Sequence, residues 1–456
     1  MAKTLSTEES SQLSPLEWVM PRSFISQILC FPSTNPRIYE VLRDGLAGTV
    51  ADVPYLASRV VAKTHPKGSV ALSSPCDSLD DLFRVNDLAT TVDYNDLKAG
   101  DFRPLLFDGL DLFSADLDVA KTSPSPVFRA VLSLVKGGCL LSVSLNHSTA
   151  DITAFGSLLK IWASHCRTGS SEDVQFSQLW LDRTAIVNSS RHAPTDAPLL
   201  LHKEDSSPSS QPSKPVEIET TFFRYSAESL KNLKAKVNEH LPDGTSWVST
   251  SDILTAVLWG SAVFSEFSDG DYDTANDTAN GTANDVCSMR IAVNCRSRYN
   301  PPLPKNYLGA AFGVSLVTAK KVDLMDIGRS SGETYSTSAI ANVAAAVRQS
   351  VNVIDEDKMN TIINHLSGQR DVTGLKLCEQ PASVSIVFWA DEGVYELDWG
   401  TELGHCEVVR LPTFKTKRYP VVFPRLPNGD LEVLVSFDQE LLNRWRKVYG
   451  VSPWKA

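Results

Sequence analysis

Hydrophobic and polar positions change period sharply around residue 147. Residues 127–135 form a mostly apolar run, and residues 139–145 alternate, with Leu141, Val143 and Leu145 on one face. Lys136-Gly137-Gly138 between them supplies turn chemistry, so this stretch predicts a β-hairpin. After it, Ile152, Phe155, Leu158, Leu159 and Trp162 recur at three- and four-residue spacing, the face of an amphipathic helix. Asp151 is placed to cap that helix, its carboxylate accepting free N–H groups of the first turn. His147-Ser148-Thr149-Ala150-Asp151 therefore joins a strand end to a helix start.

The second half repeats the mixture. Residues 216–225 alternate as a strand, and Leu230, Leu233 and Val237 mark a helix. Ser249-Thr250-Ser251-Asp252 then precedes a segment, 253–259, that is apolar almost all round, which predicts a capped helix buried on most sides. Residues 288–295 read as a strand running into Arg296-Ser297-Arg298. Asn428-Gly429 joins predicted strands 419–423 and 431–437, and Asp438 stands where it would cap a last helix carrying Leu441, Leu442 and Trp445. No regular βαβ rhythm appears, so the class is mixed α/β of the α+β kind.

Two segments break the pattern. Residues 190–215 are rich in Pro, Ser and mixed charge, which is linker chemistry. Residues 268–285 place Thr274, Thr278 and Thr282 in a repeat between aspartates, a low-complexity acidic loop too polar to pack. The expected organisation is a first domain over 1–189, a crossover at 190–215 and a second domain over 216–456. A chain of 456 residues is too long for one hydrophobic core, which agrees with two domains.

Composition narrows the function. With 42% hydrophobic and 21% charged residues the chain is an ordinary globular sequence. A formal net charge of −11 argues against nucleic-acid binding, which needs a basic face. The first residues are polar, no run of 18 apolar residues occurs and the last four match no address tag, so no membrane and a cytoplasmic location are expected. Eight scattered cysteines without a Cys-x-x-Cys pair point to reduced thiols. No metal-ligand cluster, Gly-rich phosphate loop or Gly-x-Ser-x-Gly elbow is present in the sequence.

That leaves His147 as the candidate catalytic residue, a general base, with Asp151 beside it. The spacing alone is weak: His192 and Asp196 repeat it inside the linker, where no rigid site forms. The strand-to-helix position of His147 is what favours a role in catalysis.

Several further segments, in order along nearly the whole chain, resemble the BAHD acyltransferases, in particular the fungal branch of trichothecene O-acetyltransferase-like enzymes. They are Leu13-Ser14-Pro15-Leu16-Glu17-Trp18-Val19-Met20-Pro21-Arg22, Asp52-Val53-Pro54-Tyr55, Ser249-Thr250-Ser251-Asp252, the Arg- and Pro-rich stretch from Arg296 to Gly309, and Asp398-Trp399-Gly400. The resemblance implies two chloramphenicol-acetyltransferase-like domains, each a mixed sheet with helices, and a tunnel between them with His147 midway. It implies acyl-CoA as co-substrate, no permanently bound cofactor, and a hydroxyl or amine of a hydrophobic secondary metabolite as acceptor, handled by a monomer. Asp151 would then be structural, and Asp398 would pair with Arg296 or Arg298. Ser251, Lys415, Lys417 and Arg418 are the candidate contacts to CoA.

Four positions depart from the family pattern: Ile152 in place of glycine, Ala310 in place of asparagine, Val387-Phe388 in place of a Ser-Ser pair, and the Leu403-Gly404-His405-Cys406 stretch. Most of them remove hydrogen-bonding groups near where CoA or the reacting carbonyl would lie, and so leave open an alternative. The same scaffold would then use another acyl donor, or perform acid–base isomerisation or cyclisation. Asn146 stands where peptide-synthetase condensation domains carry a second histidine, which disfavours that relative.

Overall fold

The computed structural model describes residues 12–115, 117, 124–184, 186, 201–203, 218–267, 285–329, 336–377, 384–413, 416 and 418–450. Two mixed sheets dominate. The first runs in the order β14 (Val408–Arg410), β1 (Phe24–Phe31), β7 (Gly138–Asn146), β6 (Phe128–Val135), β4 (Phe83–Asp87). Val135 pairs with Gly138, so Lys136-Gly137 is a two-residue turn, and Gly137 supplies the positive φ of 81° that such a turn requires. Every residue of β7 is buried, because both sheet faces are covered. Helices α1 (Ile38–Asp52) and α2 (Ile152–Thr168) pack on one face, and Tyr94, Leu97, Phe102, Phe107 and Leu112 cover Ile28, Cys30 and Leu140 on the other.

The second sheet runs β11 (Phe312–Lys320), β10 (Val286–Asn294), β13 (Val384–Phe388), β15 (Val421–Val422), β16 (Leu431–Asp438), β9 (Ile218–Tyr225). Its core is supplied by α3 (Ala227–Asn238), α4 (Thr250–Phe267), α5 (Lys321–Arg329), α6 (Thr337–Val353), α7 (Glu356–Gly368) and α8 (Gln439–Gly450). As its composition predicts, α4 is buried on nearly every side. Ser249 and Asp252 close its first turn through reciprocal bonds, and Arg348 from α6 pairs with Asp252. Two small sheets complete the fold: β3 (Val70–Leu72), β2 (Arg59–Ala62) and β5 (Ser125–Pro126) in that order, and β8 (Leu201–Lys203) paired with β12 (Leu375–Leu377).

Two sequence expectations change. The stretch 190–215 is not wholly linker, because residues 201–203 add a strand to 375–377; of the acidic loop only Asp285 lies within the described residues. The boundary at 216 does not follow the cores. After β13 the chain returns to the first half, where β14 joins β1 and Val394, Tyr395, Leu397 and Trp399 enter the first core. Leu16 and Val19, from the start of the chain, pack into the second.

Among the described residues no helix is long and apolar enough to cross a membrane. The seven described cysteines are free thiols, and Cys378 lies outside the described residues.

Candidate active site

The His147 loop is held by its own backbone. Asn146, the last residue of β7, pairs with Phe24, and the His147 N–H donates to the Ser23 carbonyl at 2.8 Å. The Asn146 side chain accepts from the Ser148 N–H at 3.0 Å and donates to Ser125 Oγ and the Pro126 carbonyl, both at 3.1 Å. Thr149 closes the turn on the Asn146 carbonyl, through its hydroxyl at 2.8 Å and its N–H at 2.9 Å.

His147 Nδ1 lies 2.9 Å from the Ala150 carbonyl. A carbonyl only accepts, so Nδ1 carries the proton and the lone pair sits on Nε2. Burial lowers the imidazole pKa below 6.5, although the Ala150 bond and the Asp151 charge pull the other way. The residue keeps partial accessibility. A neutral imidazole with Nε2 unprotonated is the state that a general base needs.

Asp151 is saturated. Its carboxylate caps α2 by accepting from the Ala154 N–H at 2.9 Å, takes Arg296 Nη1 and Nη2 at 2.9 and 2.8 Å, and takes the Ala311 N–H at 2.9 Å. Burial would raise this carboxyl, but the Arg296 charge and these four bonds hold it below its ordinary value. Arg296 also donates to the Tyr307 and Gly309 carbonyls, at 2.9 and 3.0 Å. Asp151 thus ties the His147 loop to the 307–311 crossing of the second half.

Arg296 is therefore the partner of Asp151 and not of Asp398. Arg298 is directed elsewhere, donating to the carbonyls of Val351 and Ile354. Asp398 accepts the Gly400 N–H at 3.0 Å and lies 3.8 Å from Arg167, at the end of α2. The expected pairing of Asp398 with Arg296 or Arg298 does not form because Asp398 packs on the first half, with Trp399 wedged between Trp162 and Phe31 at ring distances of 5.5 and 6.0 Å. Gly400 has φ +90°, and a Cβ there would meet the Cys166 carbonyl at 3.3 Å. The signature is a buttress for α2.

The proposed CoA contacts are scattered. Ser251 is half-buried in the first turn of α4. Arg418 is committed to Glu266 at 2.7 Å, and Lys415 and Lys417 lie outside the described residues. A cleft of about 700 Å³ opens between residues 64–67 and 369–371, and one of about 340 Å³ lies at 107–113 and 412–413; His147 lines neither.

Two buried acidic groups near this centre escaped the sequence reading. Glu17 is fully buried against Arg183, 3.0 Å from its Nε; burial raises the Glu17 carboxyl in spite of Arg183. Glu392 is 8% exposed and presses on Gly156, where an added Cβ would meet its Oε2 at 2.2 Å. Burial, reinforced by the Asp151 charge, pushes Glu392 up to about 8, with Arg296 and Lys160 opposing. The available hint was Glu17 lying inside the otherwise apolar run 15–21.

Residues 2–447 match the Transferase family. The chain belongs to that family, the BAHD acyltransferases. As a BAHD protein it is an acyl-CoA-dependent acyltransferase. It is 24% identical to acyltransferase BOA11 of Botryotinia fuckeliana, over 99% of this chain and 98% of that one. It is also 24% identical to trichothecene 3-O-acetyltransferase TRI101 of Fusarium sporotrichioides, over 97% of each. The fold is that of F. graminearum TRI101, solved with coenzyme A and deoxynivalenol: TM-score 0.76 and 20% identity, over 96% of this chain and 98% of that one. Vinorine synthase, with a TM-score of 0.62 and 17% identity, covers 100% of this chain and 96% of its own. Among the departures from the BAHD pattern, Ile152 causes no strain: it is the first helical residue of α2 and has no positive φ. Ala310 contributes its backbone N–H, which donates to Glu17 at 3.3 Å.

Proposed function

We propose that this BAHD enzyme moves an acyl group from acyl-CoA to a hydroxyl of a hydrophobic secondary metabolite, with His147 as general base. The observation that carries the reading is the Nδ1–Ala150 bond, which leaves the Nε2 lone pair free on a partly accessible ring. An alcohol is far too weak an acid to be ionised beforehand by an imidazole of pKa about 6.5 or lower. The proton moves to Nε2 while the oxygen attacks the thioester carbonyl. The tetrahedral oxyanion then collapses, expelling CoA thiolate, and the imidazolium returns its proton to the sulfur. No covalent acyl-enzyme is needed. Asp151 takes no part in proton transfer, because Arg296 and two backbone N–H groups already occupy its oxygens.

The acceptor class follows the relatives that bear O-acetyltransferase names, and with it goes a passage between the two halves that lets donor and acceptor reach His147 from opposite sides. Ser251, Lys415 and Lys417 are proposed to line the CoA end. The reading also takes the enzyme to be a cytoplasmic monomer, which cell fractionation and mass measurement in solution test. The main experiment incubates purified protein with acetyl-, malonyl- and longer acyl-CoAs and a panel of hydroxylated terpenoid and polyketide acceptors, following free thiol and product mass. Thiol release matched by acceptors heavier by one acyl group supports transfer. Products of unchanged mass with no thiol release from any acyl-CoA would replace it with acid–base chemistry.

A further inference from the structure

The opening segment crosses the seam between the two cores, and it reaches the His147 loop directly through Arg22 and indirectly from Glu17 through Arg183. Arg22 Nη1 donates to Ser148 Oγ at 2.8 Å, while Nη2 donates to the Trp18 and Gly68 carbonyls at 2.8 and 3.2 Å. Glu17 accepts from the Ser14 N–H at 2.6 Å and from Arg183 Nε at 3.0 and 3.2 Å. Arg183 Nη2 in turn donates to the Thr149 carbonyl at 3.0 Å, and its guanidinium lies over Tyr55 at 4.8 Å. Tyr55 closes the circuit by donating to the Leu308 carbonyl at 3.0 Å. The loop between His147 and Asp151 is thus gripped at Ser148 from one side and at Thr149 from the other.

We propose that Glu17, Arg183 and Arg22 are positioning residues for the general-base step. The proposal rests on His147 being the base. The Thr149–Ala150 peptide is planar, so fixing the Thr149 carbonyl fixes that plane and leaves only the two soft torsions of Ala150, φ and ψ, before the Ala150 carbonyl oxygen. That carbonyl is what holds Nδ1–H and aims Nε2. A buried ion pair is a weak stabiliser, since desolvation offsets most of its Coulomb gain, and an apolar pair of equal volume often does as well. Its use here lies in orientation, with Arg183 also spanning from the first residues of the chain to the catalytic loop.

The test compares Arg183→Lys, Glu17→Gln and Arg22→Lys with a control, Arg410→Lys. Arg410 is equally buried and pairs with Glu432 at 2.7 Å, but its bonds go to Glu432, Phe102 and Val409 and not to the His147 loop. For each variant, folded fraction is measured by circular dichroism, and kcat, KM for acyl-CoA and the acid-side midpoint of kcat/KM are determined. Small misplacements near reacting groups cost on the order of tenfold to a hundredfold in rate. We therefore expect kcat per folded molecule to fall about tenfold or more in the Arg183 and Glu17 variants, with KM for acyl-CoA little changed. The midpoint should move to lower pH, because a loosened Ala150 bond stabilises the imidazolium less. Arg410→Lys should lose stability with kcat and midpoint unchanged.

Arg183→Lys behaving like Arg410→Lys would overturn the proposal. If the Arg183 and Glu17 variants do not fold, Arg22→Lys and Arg22→Ala decide it: Arg22 is only partly buried, and unchanged kcat and midpoint in both would sink the idea. Failure of the underlying reading looks different, since His147→Ala would then keep its turnover whatever the arginine variants do.

Discussion

Asp151 and Arg296 are the best place to separate structure from chemistry. Asp151→Asn keeps a side chain that caps a helix as well as aspartate does, so it isolates the ion pair from the cap. It leaves the Arg296 charge buried at 4% exposure with its main partner gone. Breaking one side of such a buried pair costs about 3–5 kcal/mol, a large part of the roughly 5–15 kcal/mol that holds a domain folded. Arg296→Gln should cost a similar amount by stranding the Asp151 carboxylate. The double variant removes both charges together, so its loss should be smaller than the sum of the two by about 0.5–3 kcal/mol. Urea unfolding followed by tryptophan fluorescence gives all four corners of the cycle. Turnover of the folded double variant supplies the second readout, and it should stay within about tenfold of the parent, because no proton passes through Asp151. Additivity within about 0.3 kcal/mol would deny the coupling. A fall in kcat of about 10²–10⁴, the size expected for removing a general base, would make Asp151 part of the proton chemistry.

Other outcomes follow from the same geometry. Because burial lowers the His147 pKa, kcat/KM should fall on the acid side with a midpoint below 6.5; a midpoint above it would mean that the imidazole is not desolvated as described. Glu392 is held protonated up to about 8 when folded but ionises near its ordinary 4.5 when unfolded, so its contribution to stability declines as pH rises across that window. Glu392→Gln should therefore gain melting temperature over the parent between about pH 5 and about pH 8, and an equal difference at both would contradict the buried carboxylic acid. Trp399→Ala empties a site packed by Trp162 and Phe31 and should cost about 3–5 kcal/mol with little change in kcat per folded molecule. Asp398→Asn, on a side chain 40% exposed, should leave unfolding within about 1 kcal/mol of the parent; a loss like that of Asp151→Asn would restore a buried pairing for it.

Local order was legible because it is written in local spacing. The 136–137 turn, the α2 stripe from Ile152 to Trp162, the Asp151 cap and the buried α4 all follow from residues within a few positions of one another. Long-range pairing was not. Nothing in the spacing distinguishes Asp151 from Asp398 as the acceptor for Arg296, since both are single carboxylates far away in sequence. The return of β14 to the first sheet was hidden for a related reason. Three residues suffice to pair with Ile28, Leu29 and Cys30, and a run that short carries no period. Glu17, Arg183 and Glu392 carry no mark in the sequence, where a charge is solvated by default; only the folded chain shows them 0%, 1% and 8% exposed.

The most direct test is turnover by His147→Ala, measured as thiol release from acyl-CoA in the presence of an accepted alcohol, on protein whose circular dichroism and melting temperature match the parent. We expect the rate to fall by about 10²–10⁴ with the fold intact, the loss that removing a positioned base produces. Release at the parental rate from the folded variant would contradict His147 as the group that takes the proton.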